Sequence, residues 1–320
     1  MSIEVEPPKD ETVLAGIVTF NPDIERLREN VQAVSVQVEK IIIFDNASAN
    51  VDDVCDVARE FGNADVIRSP RNIGIAAALN GIVDTASAHG CSWVLTLDQD
   101  SVCAADMVEK LRANADQSRP LVTPYIIDRN KMKLDEYLKL DLPPFQLFRR
   151  AASKGAITSG ALVNTRVFDE VGSFDEKFFI DLVDYDFNMR LLQAGYPIVR
   201  VNGTYLVHEH GEARRTWLVT PRKSLDGRWY LERFYSFNHT SMRCYYKARN
   251  RVLYSKKYWR VIGLSNEGIA QIPQVIALTL LFEGDRMSKL RAFVRGIVDG
   301  IRTPVDSSPV IATGRRVDSV

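Results

Sequence analysis

Asp98-Gln99-Asp100 closes the apolar run Trp93–Leu97 (WVLTL), and here residue type and spacing first combine into chemistry. On an extended backbone two carboxylates two residues apart point the same way. A buried strand that ends in two acids faces something that attracts negative charge. Two hard oxygen donors on one face suit Mg²⁺ or Mn²⁺, cations that keep part of their water and are held through a substrate's phosphates. The plainer reading is a polar turn in which Asp100 or Ser101 caps the next helix.

Two further clusters carry ionisable groups. Asp181, Asp184 and Asp186 open the segment Asp181–Arg190 (DLVDYDFNMR), which runs into a helix closing at Gly195. Three acids at a helix N-terminus can simply offset the macrodipole. Asp184, between apolar neighbours at the mouth of that helix, is the one placed to project into a cleft. His208-Glu209-His210-Gly211 holds two of the four histidines. His208, at a strand end in a chain that also carries Asp98 and Asp100, reads as a third metal ligand or a diphosphate contact; a filler histidine is the bland alternative.

These groups need a scaffold, and the first hundred residues supply one. Val13–Phe20 and Lys40–Phe44 are continuous apolar runs of the kind buried on both faces of a parallel sheet. Asp65–Arg68 and Trp93–Leu97 follow, with helical patterns between all four. Asn21-Pro22 predicts an N-cap with proline at the first helical position, and Ile24, Leu27, Val31 and Val34 mark that helix's buried stripe. The pattern β-α-β-α-β-α-β with short joins predicts a doubly wound α/β sheet. Such sheets bind ligands at the carboxyl ends of their strands, where strand order reverses. Phe20-Asn21, Asp45–Ser48, Asn72–Gly74 and Asp98–Asp100 all fall at those ends. No GxGxxG follows the first strand and no GxxxxGK[ST] occurs, which excludes the dinucleotide fingerprint and the P-loop.

Further on, Leu121–Ile126 is another strand, and Asp128–Lys154 is an irregular, charged excursion interrupted by Pro143-Pro144, read as a lid or acceptor wall with a plain surface insertion as the alternative. Ser159-Gly160 lets a ligand approach backbone closely. Ile198–Val201 and Thr204–His208 read as a hairpin over Asn202-Gly203.

The 320 residues carry no net charge, yet the charge is divided. Residues 1–213 hold 21 Lys and Arg against 33 Asp and Glu, whereas residues 214–302 hold 18 against 6. The division predicts a catalytic body over 1–213, a basic helical region over 214–306 and a flexible tail over 307–320. In the basic region Trp229, Tyr230, Phe234, Tyr235, Tyr245, Tyr246, Tyr258 and Trp259 alternate with Arg and Lys from Arg228 to Arg260. Rings and cations at helical spacing suit an anionic membrane surface. No nucleic-acid fold signature accompanies them, so nucleic acid is not expected as a partner. Ile272–Phe282 is too short to span a bilayer. Met1–Glu11 is polar and acidic, so no secretory leader is expected, and four cysteines without CxxC spacing read as reduced thiols.

Together these fragments resemble the family 2 (GT-A fold) inverting glycosyltransferases, and within them the bacterial rhamnosyltransferases. The resemblance runs from about Val13 to Tyr254 and is carried by VTFNP at 18–22, FDNAS at 44–48, RNIGIAAALNG at 71–81 and WVLTLDQDS at 93–101. It continues with SG at 159–160, GSFDEKFFIDLVDYDFNMR at 172–190, HEHG at 208–211 and YYKARN at 245–250. The resemblance implies a GT-A fold, a Rossmann-like and mostly parallel sheet flanked by helices. It gives Phe20, Asn21, Asp45, Asn46 and Ser48 to the nucleotide's base and ribose, with Asn72 and Gly74 at its border. Asp98 and Asp100 match the metal and diphosphate motif, and His208 the metal or diphosphate histidine. Asp184 matches the second acid of a Glu-Asp pair, the catalytic base. Val183 departs from that pair, in a form that rhamnosyltransferase-like members carry; His210 has no match.

The expected activity is an inverting, Mg²⁺- or Mn²⁺-dependent transfer, with dTDP-L-rhamnose as the implied donor. A lipid-linked precursor of a cell-surface polysaccharide is the acceptor, reached from the cytoplasm at the inner face of the plasma membrane. The chemistry asks for one base on the acceptor hydroxyl and charge on the departing diphosphate, and no covalent nucleophile. Alternatives are a UDP-sugar donor (galactofuranose or a hexose), or a non-catalytic subunit binding nucleotide-sugar or membrane. A nucleotidyltransferase lacks its Gly-rich basic loop here. The sequence leaves a homo-oligomer open.

Overall fold

The computed structural model describes residues 12–148, 156–208, 213–223, 229–263 and 268–306. The acidic leader Met1–Glu11, the end of the 128–154 excursion, Glu209–Gly211, Arg228 and the tail Ser307–Val320 lie outside the described residues. The chain divides into two compact units, the first ending at Glu209 and the second beginning at His210.

In the first unit, β1 (Val13–Thr19), β2 (Lys40–Asp45), β3 (Ala64–Arg68) and β4 (Trp93–Asp98) are parallel and stand in the order β3-β2-β1-β4. Their runs are apolar because the central strands are covered on both faces; Leu14, Ala15, Ile17, Ile41, Ile43, Val94 and Leu95 are fully buried. The crossovers are α1 (Ile24–Ser35), α2 (Val51–Arg59) and α3 (Ile75–Ala88). The chain moves outward from β1 to β3 and returns to the other side of β1 as β4. The order therefore reverses between β1 and β4, and the carboxyl ends of those strands form the crevice expected of such a sheet.

The cap of α1 is shifted from its expected place. Asp23, not Asn21, caps it, its carboxylate accepting from the Arg26 N–H at 3.1 Å. Asn21 instead takes a left-handed conformation (φ 48°), and its Oδ1 accepts from the Ala49 N–H at 2.8 Å. Asparagine tolerates this conformation and is used here to join two loops.

Beyond β4 come β5 (Val102–Cys103), α4 (Met107–Arg112), β6 (Leu121–Asp128), α5 (Leu134–Tyr137), β7 (Phe145–Phe148), β8 (Ala161–Asn164), α6 (Val167–Val171), α7 (Val183–Gln193) and β9 (Ile198–His208). They extend the sheet as β4-β8-β6-β9-β5, with β7 also on β9. β8 is antiparallel to both β4 and β6, so the sheet is mixed on this side. Part of the excursion after Asp128 is ordered, since β7 pairs with β9 directly after Pro143-Pro144.

The expected hairpin over Asn202-Gly203 does not form. β9 is one strand parallel to β6, pairing Val201 with Pro124 and Tyr205 with Tyr125, so residues 202–204 bulge out. Asn202 donates its backbone N–H to the Pro144 carbonyl (2.9 Å) and its Nδ2 to the Pro143 carbonyl (2.8 Å), and the Thr204 hydroxyl donates to Asp106 (3.0 Å). Side-chain bonds that no local pattern announces convert a turn dipeptide into a bulge.

The second unit opens with strands rather than helices: β10 (Arg214–Lys223) and β11 (Trp229–Ser236) pair antiparallel. Then follow α8 (Ser241–Ile262), α9 (Ile272–Phe282) and α10 (Arg286–Arg302). Thr240 caps α8 by accepting from the Arg243 N–H at 3.3 Å. α8 and α10 pack closely: a Cβ at Gly296 would stand 2.3 Å from the Tyr245 carbonyl oxygen, inside any real contact. Among the described residues no helix is long and apolar enough to cross a membrane.

Candidate active site

The expected residues gather at the carboxyl ends of β1, β2 and β4, and backbone geometry explains how. At the end of β2, Asp45 is almost fully buried and accepts from the Thr19 hydroxyl (3.1 Å) and the Ser48 N–H (2.9 Å). The Ser48 hydroxyl in turn accepts from the Asn21 N–H (2.8 Å). Asn46, also buried, accepts from the Ile73 N–H (2.8 Å) and donates to the Gly74 carbonyl (3.2 Å), while Asn72 accepts from the Gly74 N–H (3.0 Å). Asp45, Asn46 and Ser48 thus shape the crevice wall through internal bonds. Phe20 and Asn21 are exposed and form its open lip. The middle residue of the acidic motif contributes too, because Gln99 Oε1 accepts from the Phe20 N–H at 2.8 Å and ties β4 to β1.

Asp98, Asp100 and His208 converge where β4 and β9 end. His208 Nε2 stands 3.8 Å from Asp98 Oδ2, and Nδ1 stands 3.5 Å from Asp100 Oδ1. The imidazole is largely buried while both carboxylates keep part of their surface. Burial disfavours the charged imidazole, but the carboxylates of Asp100, Asp98 and Asp128 outweigh it and raise the His208 pKa. Behind the three runs a buried chain of hydroxyls. Ser159 Oγ accepts from the Asp98 N–H (3.0 Å) and bonds Ser101 Oγ (2.7 Å), which bonds His208 Nδ1 (3.1 Å). Asn30, on the buried side of α1, donates to the Asp98 carbonyl at 2.7 Å.

Among the described residues no group of three or more His, Cys, Asp or Glu stands as a ready-made metal cage. The donor types nevertheless fit a hydrated divalent cation, which needs only one or two carboxylates from the protein. Asp100 Oδ1 is buried and accepts no hydrogen bond, leaving lone pairs for such an ion.

The three acids before α7 separate clearly. Asp186 is fully buried and paired with Arg190 at 3.0 Å, whose guanidinium also donates to the Val171 and Gly172 carbonyls. Its role is to hold the helix. Asp184 sits in the first turn, and desolvation, reinforced by the charges of Asp181 and Asp98, pushes its carboxyl up to about 7. The approach to it is strained: Phe179, Asp181 and Leu182 all have positive φ (54°, 68° and 63°). Each such residue costs about 1–3 kcal/mol and persists only where surrounding contacts enforce it. Here the Phe179 carbonyl accepts from the Ile75 N–H (2.6 Å) and its ring lies where a Cβ at Gly74 would be, 2.6 Å away. Only glycine fits position 74, which also has φ 87°.

The sequence gives partial notice of the supporting residues. Ser159 announces itself as half of a Ser-Gly pair, and Asn30 as a lone amide on an apolar helix stripe. The Ser101–Ser159 bond links residues 58 apart and has no sequence signal.

Comparison with known proteins shows what this chain is similar to. Residues 15–171 match the family described as glycosyl transferase family 2. The dTDP-rhamnosyl transferase RfbF of Shigella flexneri is 24% identical over 312 residues, covering 92% of this chain and 96% of that protein. The crystal structure of S. aureus TarS 1-349 in complex with UDP-GlcNAc superposes with a TM-score of 0.54. It is 12% identical and covers 91% of this chain and 81% of that one, a shared fold.

Proposed function

We propose, from the match of residues 15–171 to glycosyl transferase family 2, that the chain is a glycosyltransferase of that family that carries out an inverting rhamnosyl transfer from dTDP-L-rhamnose. The acceptor is a hydroxyl of a lipid-linked saccharide, met at the cytoplasmic leaflet. The relative named a dTDP-rhamnosyl transferase spans nearly the whole chain and supports this donor. The nucleotide lies at the ends of β1 and β2. There the exposed Phe20 ring can stack on the base and Asn21 can reach the ribose, while Asp45, Asn46, Ser48, Asn72 and Gly74 hold the wall.

Asp98, Asp100 and His208 would hold Mg²⁺ or Mn²⁺, which supplies positive charge to the departing diphosphate. The remaining work falls to the chain itself. Asp184 takes the proton from the acceptor hydroxyl as that oxygen attacks the anomeric carbon from the face opposite the leaving group, inverting its configuration. Ser159 and Ser101 hold the Asp98 backbone and the His208 ring in register.

The carrying observation is the convergence of Asp98, Asp100 and His208 at the ends of β4 and β9; burial pushes the Asp184 carboxyl up to about 7, within the working range of a base. Asp184→Asn keeps size and polarity but cannot accept the proton. We expect turnover at saturating donor to fall about 10²–10⁴-fold with dTDP affinity retained. Asp186→Asn, which breaks the buried pair with Arg190, should instead lower the melting temperature. Near-parental turnover in Asp184→Asn sinks the assignment, and tighter binding of UDP than of dTDP sinks the donor.

A further inference from the structure

The second unit carries a surface that the catalytic reading does not use. One side of α10 packs on α8 through Phe293, Gly296 and Gly300. Along the other side Met287, Leu290, Val294, Val298 and Ile301 recur at spacings of three and four, which places them on one stripe. That stripe faces outward: Met287 is 63% exposed, Val294 53% and Ile301 62%. Arg286, Arg291, Arg295 and Arg302 are exposed on the same helix. Its one acid, Asp299, is engaged by the Tyr245 hydroxyl (3.0 Å) and Arg295 (3.6 Å).

We propose that this face of α10 docks the protein on an anionic lipid surface. The stripe lies at the acyl boundary and the arginines among the headgroups. An apolar stripe with a cationic border is the pattern of a helix lying in the interface plane. Charge favours this occupant over a second copy of the chain. A two-fold interface meets itself, so arginines would face arginines. The surface differs from the one expected at 228–260, where much of the basic-aromatic pattern is used internally. Tyr254 and Tyr258 are buried, and Lys256 Nζ donates to the carbonyls of Gly300, Ile301 and Thr303 that end α10. The inference rests on the lipid-linked acceptor of the proposed function for its purpose, but its test needs neither donor nor acceptor.

The full chain is floated with vesicles of phosphatidylcholine alone or with one-third phosphatidylglycerol, at rising salt. The parent should float with the anionic vesicles and lose them as salt rises. Arg291→Ser with Arg295→Ser should weaken partitioning about thirtyfold, at about 1 kcal/mol for each basic residue near the surface. Val294→Asp with Ile301→Asp should abolish it, the melting temperature of both variants staying parental. All four native thiols are buried, so Val294→Cys accepts a polarity-sensitive dye at one site. Its emission should shift to the blue with anionic vesicles only. Undiminished flotation of both double variants overturns the proposal. A blue shift that needs no vesicles and tracks dimer formation also overturns it, in favour of a second copy. Flotation that holds while dTDP fails to bind leaves this inference standing and removes the proposed function.

Discussion

A carboxyl raised to about 7 is protonated over much of the range in which an ordinary aspartate, near 3.8, is ionised. For the base proposed at Asp184 this sets a pH limb. kcat/KM should fall about tenfold for each unit below pH 7, measured as initial transfer rates at low acceptor. Stability carries the opposite sign. The folded state holds this proton where the unfolded chain has released it, so the contribution of Asp184 is complete below about pH 4 and is lost as pH rises through 7. Asp184→Asn should therefore raise the melting temperature of the ligand-free protein relative to the parent at pH 8 and not at pH 4. At this scale the meeting of Asp98, Asp100 and His208 was legible, since ionisable groups close apolar strands there. Asp184 is set apart in the sequence only by its apolar neighbours; that Asp186 is the acid paired with Arg190 depends on where the guanidinium points, which spacing does not give.

The elements were legible where one pattern ruled. The first four strands and their helices follow from apolar runs and periodicity, because their neighbours are close in sequence. Legibility failed where a distant side chain overruled a local signal. Asn202-Gly203 became a bulge under the carbonyls of Pro143 and Pro144, and the rings from Trp229 to Tyr235 lie on β11 rather than on a helix. The glycines of α10 belong to this scale. Alanine is the better helix former by about 1 kcal/mol, but at Gly296 its methyl meets the α8 backbone and α10 must move away. Overpacking of this kind costs about 1–3 kcal/mol. Gly296→Ala should thus destabilise the protein in urea, whereas Arg291→Ala, at an exposed position of the same helix, should change it by less than about 0.5 kcal/mol.

Across the whole molecule the proposed roles of Gly74 and Asp184 fall on two ligands, and the two segments meet at Phe179. Ile75 N–H binds the Phe179 carbonyl, and the left-handed residues leading to Asp184 begin at that same Phe179. Donor and acceptor affinities should be coupled as a result. Calorimetry with dTDP and a soluble acceptor mimic should show each ligand tightening the other by the same factor, as linkage requires. Phe179→Ala should bring that factor to about one. The crowded contact at Gly74 is then a matter of timing. A nucleotide that settles against residues 72–74 fixes the segment behind the base before an acceptor arrives. The hydroxyl then meets a carboxylate already aimed.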